Sequence, residues 1–270
     1  MGRFTPMKYV YNTLCFCLVL ACQNRAVSDK QADSLQHTPQ VSALQKALQQ
    51  YPDSLGLHWQ LATVADSIGN YTLATAAIDS MIQKDSMNYA LWFKKGQIME
   101  HAADTIKAIG YYNIAAKIYA SPDVLLALAN LYAETKNPLA LTMCQLINRL
   151  RMGKEYDSYT AFFTAIYHER CQNYPLAISW LNQSIANNYT FMDAYMEKGF
   201  IYYDTKQYSE ALKTFQLAAT INNTYADAPY WQAKCLEAMN QKAAAVQKYQ
   251  IALSLNKHLT EASQALQRLQ

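Results

Sequence analysis

The sequence predicts an all-α solenoid of stacked antiparallel helix pairs, and three observations point there. Glycine and proline number only 7 each in 270 residues, too few for the turn punctuation that a chain of short strands needs. Alanines recur at Ala74, Ala108, Ala177, Ala211 and Ala245, in steps of 34, 69, 34 and 34, and Ala140 divides the long step. Twelve residues before most of them stands a second small residue, at Ala62, Gly96, Ala165, Gly199 and Ala233, with Ala129 eleven before Ala140. A period of this length marks a repeat architecture in which each unit is one helix pair. Two small sites per repeat remove the bulk that would hold the two helix axes apart. The 51% hydrophobic content excludes a disordered chain. With 23 basic against 20 acidic residues and no run of five like charges, the footprint of a nucleic-acid binder is missing.

In chain order, the first element lies outside the solenoid. Residues 10–21 read VYNTLCFCLVLA behind Arg3 and Lys8. That apolar run is shorter than the roughly 20 residues a membrane-spanning helix requires, so residues 1–21 are expected to be an export signal, with Met7 as a second start. The run stops at Val19-Leu20-Ala21-Cys22, which resembles the bacterial lipobox. The resemblance implies cleavage before Cys22 and lipidation of that cysteine. Loss of Arg3 and Lys8 leaves 21 basic residues against 20 acidic ones, so attachment would rest on acyl chains without a polybasic patch. Gln23 follows the cysteine and no acidic cluster comes after it, which points to an outer-membrane lipoprotein facing the periplasm. Residues 22–39 are mostly polar, hold few large apolar side chains apart from Leu35, and read as a lipidated flexible tether.

The solenoid is expected over residues 40–270. Residues 40–50 place Leu44 and Ala47 where the second helix of a preceding repeat would put them, and Pro52 closes that half-repeat. Repeats follow at about 55–88, 89–121, 122–157, 158–191, 192–225 and 226–257. The fifth is the clearest, with Tyr195, Gly199, Tyr202, Tyr208, Ala211, Phe215 and Ala218 at fixed spacing. The second carries Trp92, Gly96, Met99, Ala108, Tyr112 and Ala115 in the equivalent places, and the sixth keeps Ala233, Ala245, Tyr249 and Ala252. The third is irregular, because its turn Lys136-Asn137-Pro138 is a residue short and Met152-Gly153-Lys154 lies in a lengthened connection. A local break in the stacking is expected there. Residues 258–270 carry Leu259, Ala262, Leu266 and Leu269 at helical spacing and read as a capping helix with a polar outside. These residues resemble the tetratricopeptide repeat. With the lipobox, the whole chain resembles tetratricopeptide lipoproteins of Bacteroidota.

Groups that could carry a reaction do not converge. The histidines are scattered, none has a second ligand at zinc spacing, and no glycine-rich loop is present, so no catalytic residue, metal or cofactor is assigned and the chain is read as a non-enzyme. Of the six cysteines, Cys144, Cys171 and Cys235 remain after Cys22, an odd count that argues against a disulfide framework. Cys144 and Cys235 fall at core-facing places, and a bridge between Cys144 and Cys171 stays open.

Stacked repeats leave a concave groove lined by first helices, where partner segments bind. Candidate groove residues are Trp59, Phe93, Gln97, Asn130, Phe162, Ile166, Met196, Phe200, Tyr203, Tyr230 and Lys234. The floor reads as aromatic, and Asp66, Glu100, Glu169 and Glu237 give it an acidic margin. Aromatics there either pack against the adjacent repeat or supply contact area of the kind that dominates binding hot spots. Resemblance to family members that grip chaperone tails would imply grouped lysines, an arginine and asparagines, whereas here Asn130, Arg170 and Lys234 are dispersed. The resemblance implies a protein-interaction adaptor for an envelope protein. The alternative is a carbohydrate or peptide receptor of an uptake system, suggested by the 21 tyrosines.

Overall fold

The computed structural model describes residues 38–269; the signal segment, Cys22 and nearly all of the tether expected from the sequence lie outside them. Among the described residues the chain is all-helical, with fourteen helices joined by short turns. The first helices of the pairs are α2 (Leu55–Ser67), α4 (Tyr89–His101), α6 (Pro122–Glu134), α8 (Lys154–Arg170), α10 (Met192–Asp204) and α12 (Asp227–Ala238). Their second helices are α3 (Tyr71–Ile82), α5 (Thr105–Ile118), α7 (Leu139–Arg149), α9 (Tyr174–Asn187), α11 (Tyr208–Ile221) and α13 (Lys242–Leu255). A lone second-type helix, α1 (Pro39–Gln50), precedes them and a lone first-type helix, α14 (Thr260–Leu269), follows.

The chain divides into two compact units, the first ending at Leu128 and the second beginning at Ala129. The division falls inside α6, in the repeat whose turn is a residue short. In the first unit α1 to α5 each pack on their neighbours in sequence, and in the second α7 to α14 do the same.

Local sequence sets the helix ends. Thr38, Ser54, Asn70, Asp104 and Asn173 stand at N-caps, where each side chain accepts a backbone N–H three residues on. Each of the six turns within a pair closes with a backbone N–H bonded to the carbonyl five residues earlier, as from Asn70 to Ala65 and from Gln207 to Tyr202, both at 2.8 Å. The residue before each donor is left-handed: Gly69, Ala103, Lys136, Gln172, Lys206 and Asn240. Only the first is glycine, so five turns hold a side chain in a conformation that costs roughly 1–2 kcal/mol. The repeat geometry, reinforced by packing on both sides, overrides that local preference.

The small-residue sites do what the spacing predicts. Ala62, Ala74 and Ala108 in the first unit, and Ala165, Ala177, Ala211, Ala233 and Ala245 in the second, are fully buried. At the two glycine sites the fit is tighter still. A Cβ on Gly96 would lie 2.4 Å from the Tyr112 ring, and one on Gly199 would lie 2.3 Å from the Phe215 ring. The first helix thus offers bare backbone, and an aromatic ring of the second helix lies flush against it.

The third and fourth repeats depart from the expected boundaries. Pro138 starts α7 without a side-chain cap bond, and α7 runs only 11 residues. Gly153, at φ 97°, then releases the chain into α8, which begins at Lys154 instead of 158 and runs 17 residues. Ser158, inside this helix, is fully buried, and its Oγ donates to the Ser184 carbonyl while the Ser184 Oγ donates to the Ser158 carbonyl, both at 2.9 Å. Cys144 and Cys235 are buried and Cys171 is exposed; all three are free thiols, so the bridge left open by the sequence is not formed.

Candidate functional site

In the first unit, Trp59 of α2 keeps 41% of its surface exposed and lines a cavity of about 470 Å³ with Leu44 of α1 and Thr63 and Val64 of α2. Phe93 on α4 is half-buried, its ring 5.3 Å from that of Tyr112, and Gln97 is half-buried one turn on. The acidic margin here is already occupied. Asp66, almost buried, accepts from Lys94 Nζ and meets His101 Nδ1, each at 2.8 Å. Glu100 accepts the Tyr112 hydroxyl at 2.7 Å, and burial nevertheless raises its pKa above the usual carboxylate range.

In the second unit the expected floor is closed. Phe162, Ile166, Met196 and Phe200 are all more than nine-tenths buried, so they are core residues and not contact area. Phe191 lies 5.0 Å from Phe162, and Trp231 lies 4.8 Å from Phe200, covering the faces that the period alone left open. Tyr203 remains half-buried between Tyr208 and Trp231, both at 5.3 Å, and burial pushes its hydroxyl pKa up to about 12. Tyr230, Asn130 and Lys234 are half-buried. Here too the predicted acidic margin is satisfied from within: Arg170 bonds Glu134 and Glu169, and Glu237 takes the Tyr249 hydroxyl at 2.9 Å and the Arg268 guanidinium. Those two partners hold Glu237 below its ordinary pKa, with Arg268 the larger influence.

What remains open on the first helices of this unit is a row one turn earlier: Tyr159 on α8, Asp193 on α10, Asp227 on α12 and Glu261 on α14. Members stand 34 residues apart, and Tyr159 feels the charge of Asp193 while Asp227 feels that of Glu261. Among the described residues no salt bridge engages these three carboxylates. Burial raises the pKa of Asp193, and burial also raises that of Asp227 against a lowering hydrogen bond from Tyr225. Tyr225 and Tyr230 flank the row, half-buried. In the sequence this row is Asp193, Asp227 and Glu261 at the repeat period, three residues before the expected groove positions Met196 and Tyr230. Composition hides it, because elsewhere the same place holds Gly56, Ala90 and Tyr159.

Paired helices with two small sites per pair, closed by one recurrent turn, make this the tetratricopeptide-repeat fold. Solved structures agree on the fold. A tetratricopeptide repeat protein from Parabacteroides merdae superposes with a TM-score of 0.68 at 18% identity, covering 91% of this chain and 98% of that one. PilW, a widely conserved type IV pilus biogenesis factor, gives 0.64 at 19% identity over 80% of this chain and 97% of its own. The Cut9–Hcn1 hetero-tetramer of the APC/C gives 0.58 at 14% identity, covering 89% of this chain and 47% of that one. No protein-family profile and no curated protein matches the chain.

Proposed function

We propose that the chain is a non-enzymatic interaction scaffold whose second unit holds a cationic segment of a partner protein along its first helices. The observation that carries this reading is the row Asp193, Asp227 and Glu261, which no salt bridge engages among the described residues and which Tyr225 and Tyr230 flank. Carboxylates beside aromatic rings, two of them half-buried and Glu261 exposed, fit lysine or arginine side chains, which offer a charge to the one and a face-on contact to the other. The shared fold supports the class of function, since one relative of this fold is crystallised inside a hetero-tetramer and another is a pilus biogenesis factor. Lipidation at Cys22 would tether the scaffold to the outer membrane, facing the periplasm, so that its partner is an envelope protein.

Two experiments test this. For the groove, peptides carrying lysine or arginine are titrated against the wild type and against Asp193→Asn and Asp227→Asn. Each neutralisation is expected to weaken binding roughly two- to fivefold, and added salt to weaken it further. Binding requires ionised carboxylates, and their folded pKa values are raised. Affinity should therefore hold near neutral pH and fall as pH drops through those raised values, earlier than an ordinary aspartate would dictate. Equal affinity for acidic and basic peptides would sink the reading. For the anchor, metabolic labelling with a fatty-acid analogue should mark the wild type and leave Cys22→Ser unlabelled; a labelled Cys22→Ser chain would dismiss the lipid site.

A further inference from the structure

We propose that the second unit carries a carboxylate-binding cavity on its second-helix side, anchored by Lys198, and that this site is separate from the first-helix row. An offset of 103 residues maps the second repeat onto the fifth. Lys95 on α4 is nearly buried; its ammonium pairs with Asp79 on α3 and lies 4.5 Å from the centre of the Tyr111 ring on α5. That site is complete within the chain: cation, counter-charge and covering ring.

At the matching place on α10 stands Lys198, and both of its partners are changed. Asn182 on α9 replaces the aspartate, and Thr214 on α11 replaces the tyrosine. The first change removes the negative charge, and the second removes the volume of a ring. What is left is a cavity of about 230 Å³, lined by Lys198, Asn182 and Thr214 with Ile185 and Leu217 as apolar walls. Among the described residues the Lys198 ammonium makes no ion pair, and it lies 6.0 Å from the centre of the Tyr202 ring. Glu210 faces it from α11 but is engaged by Lys213 at 2.8 Å. Burial lowers the Lys198 pKa, the sign of a cation short of counter-charge, and the Coulombic pull of Glu210 does not offset it.

The missing groups specify the occupant. A carboxylate would restore the charge that Asp79 supplies in the other copy, the Asn182 amide can donate to its second oxygen, and an attached short apolar stem would take the space of the absent ring. Such a carboxylate comes either from a small organic acid or from an acidic side chain of a partner protein.

The test uses protein with ¹³C-labelled lysine side chains, titrated with sodium butyrate and, separately, with the peptide acetyl-Ala-Glu-Ala-amide. Either probe is expected to shift the Lys198 resonance saturably and to raise the Lys198 pKa, while the Lys95 resonance stays still. Saturation by the peptide at a concentration at least tenfold lower assigns the site to a partner's acidic residue; saturation by butyrate at the same or lower concentration assigns it to a small acid. Lys198→Met should abolish binding. Asn182→Asp restores the internal counter-charge, so it should raise the Lys198 pKa without ligand, weaken both probes at least fivefold and leave the thermal midpoint unlowered. Absence of any saturable shift, retained binding in Lys198→Met, or undiminished binding in Asn182→Asp overturns the proposal.

Discussion

Phe215→Ala is expected to destabilise the second unit by about 3–5 kcal/mol, the cost of a buried aromatic lost to a cavity. Its ring is fully buried on α11, against the bare backbone of Gly199 and 5.7 Å from Phe200 and 5.8 Å from Trp231. Collapse into the vacated space is blocked because α10 already sits as close as a glycine allows. The Gln232 amide also donates to the Phe215 carbonyl at 3.0 Å, and that bond survives the substitution. Urea unfolding of the variant checks the figure. A loss below about 1.5 kcal/mol would mean that the helix pair closes over the void, contrary to the geometry.

The second large effect is expected at Arg170. Its guanidinium reaches Glu134 at 2.6 Å and Glu169 at 2.8 Å, with the buried Glu197 within Coulombic range. Burial disfavours the Arg170 charge, and attraction to Glu134 and then Glu169 more than offsets it. Removing the cation in Arg170→Met should cost about 2 kcal/mol, less than for a fully buried pair, because Glu169 is largely buried while Glu134 stays partly in water. The sign with pH distinguishes this from lost packing. The lost attraction exists only while the carboxylates facing Arg170 are ionised, so the penalty is full near neutral pH and shrinks as acid protonates them. Unfolding curves at pH 7 and pH 5 should therefore show a smaller deficit at the lower pH. An equal deficit at both would assign the loss to the missing side-chain volume.

Much of the fold was legible because its signals are steric and local. Alanine or glycine at Ala62, Gly96, Gly199 and Ala211 is required wherever two helix axes approach, and a recurrence at 34 residues exposes that need directly. The candidate site was legible only in part, because periodicity assigns a residue to a helix face and says nothing of what covers the face. Phe162 and Phe200 stand in the right row, yet Phe191 and Trp231, contributed by the following elements, close over them. Charge was misread for a related reason. Asp66 and Glu169 looked like a free acidic margin, but Lys94, His101 and Arg170, one helical register away, consume them. The start of α8 at Lys154 escaped because the pattern was anchored on Ala165, which fixes the register of the helix but not its length.

The placement of the tryptophans gives each unit its own optical reporter. Trp59 in the first unit is partly in water, whereas Trp231 in the second is caged by Phe200, Tyr203, Phe215 and Tyr230 at 4.8–5.8 Å. With Trp92 and Trp180 replaced by phenylalanine, red-shifted emission reports on one unit and blue-shifted emission on the other. Repeat arrays sum local terms instead of melting as one body by necessity. Where the two colours change at different urea concentrations, a single free energy of unfolding stops being a property of this chain. The losses at Phe215 and Arg170 then belong to the blue-emitting transition alone.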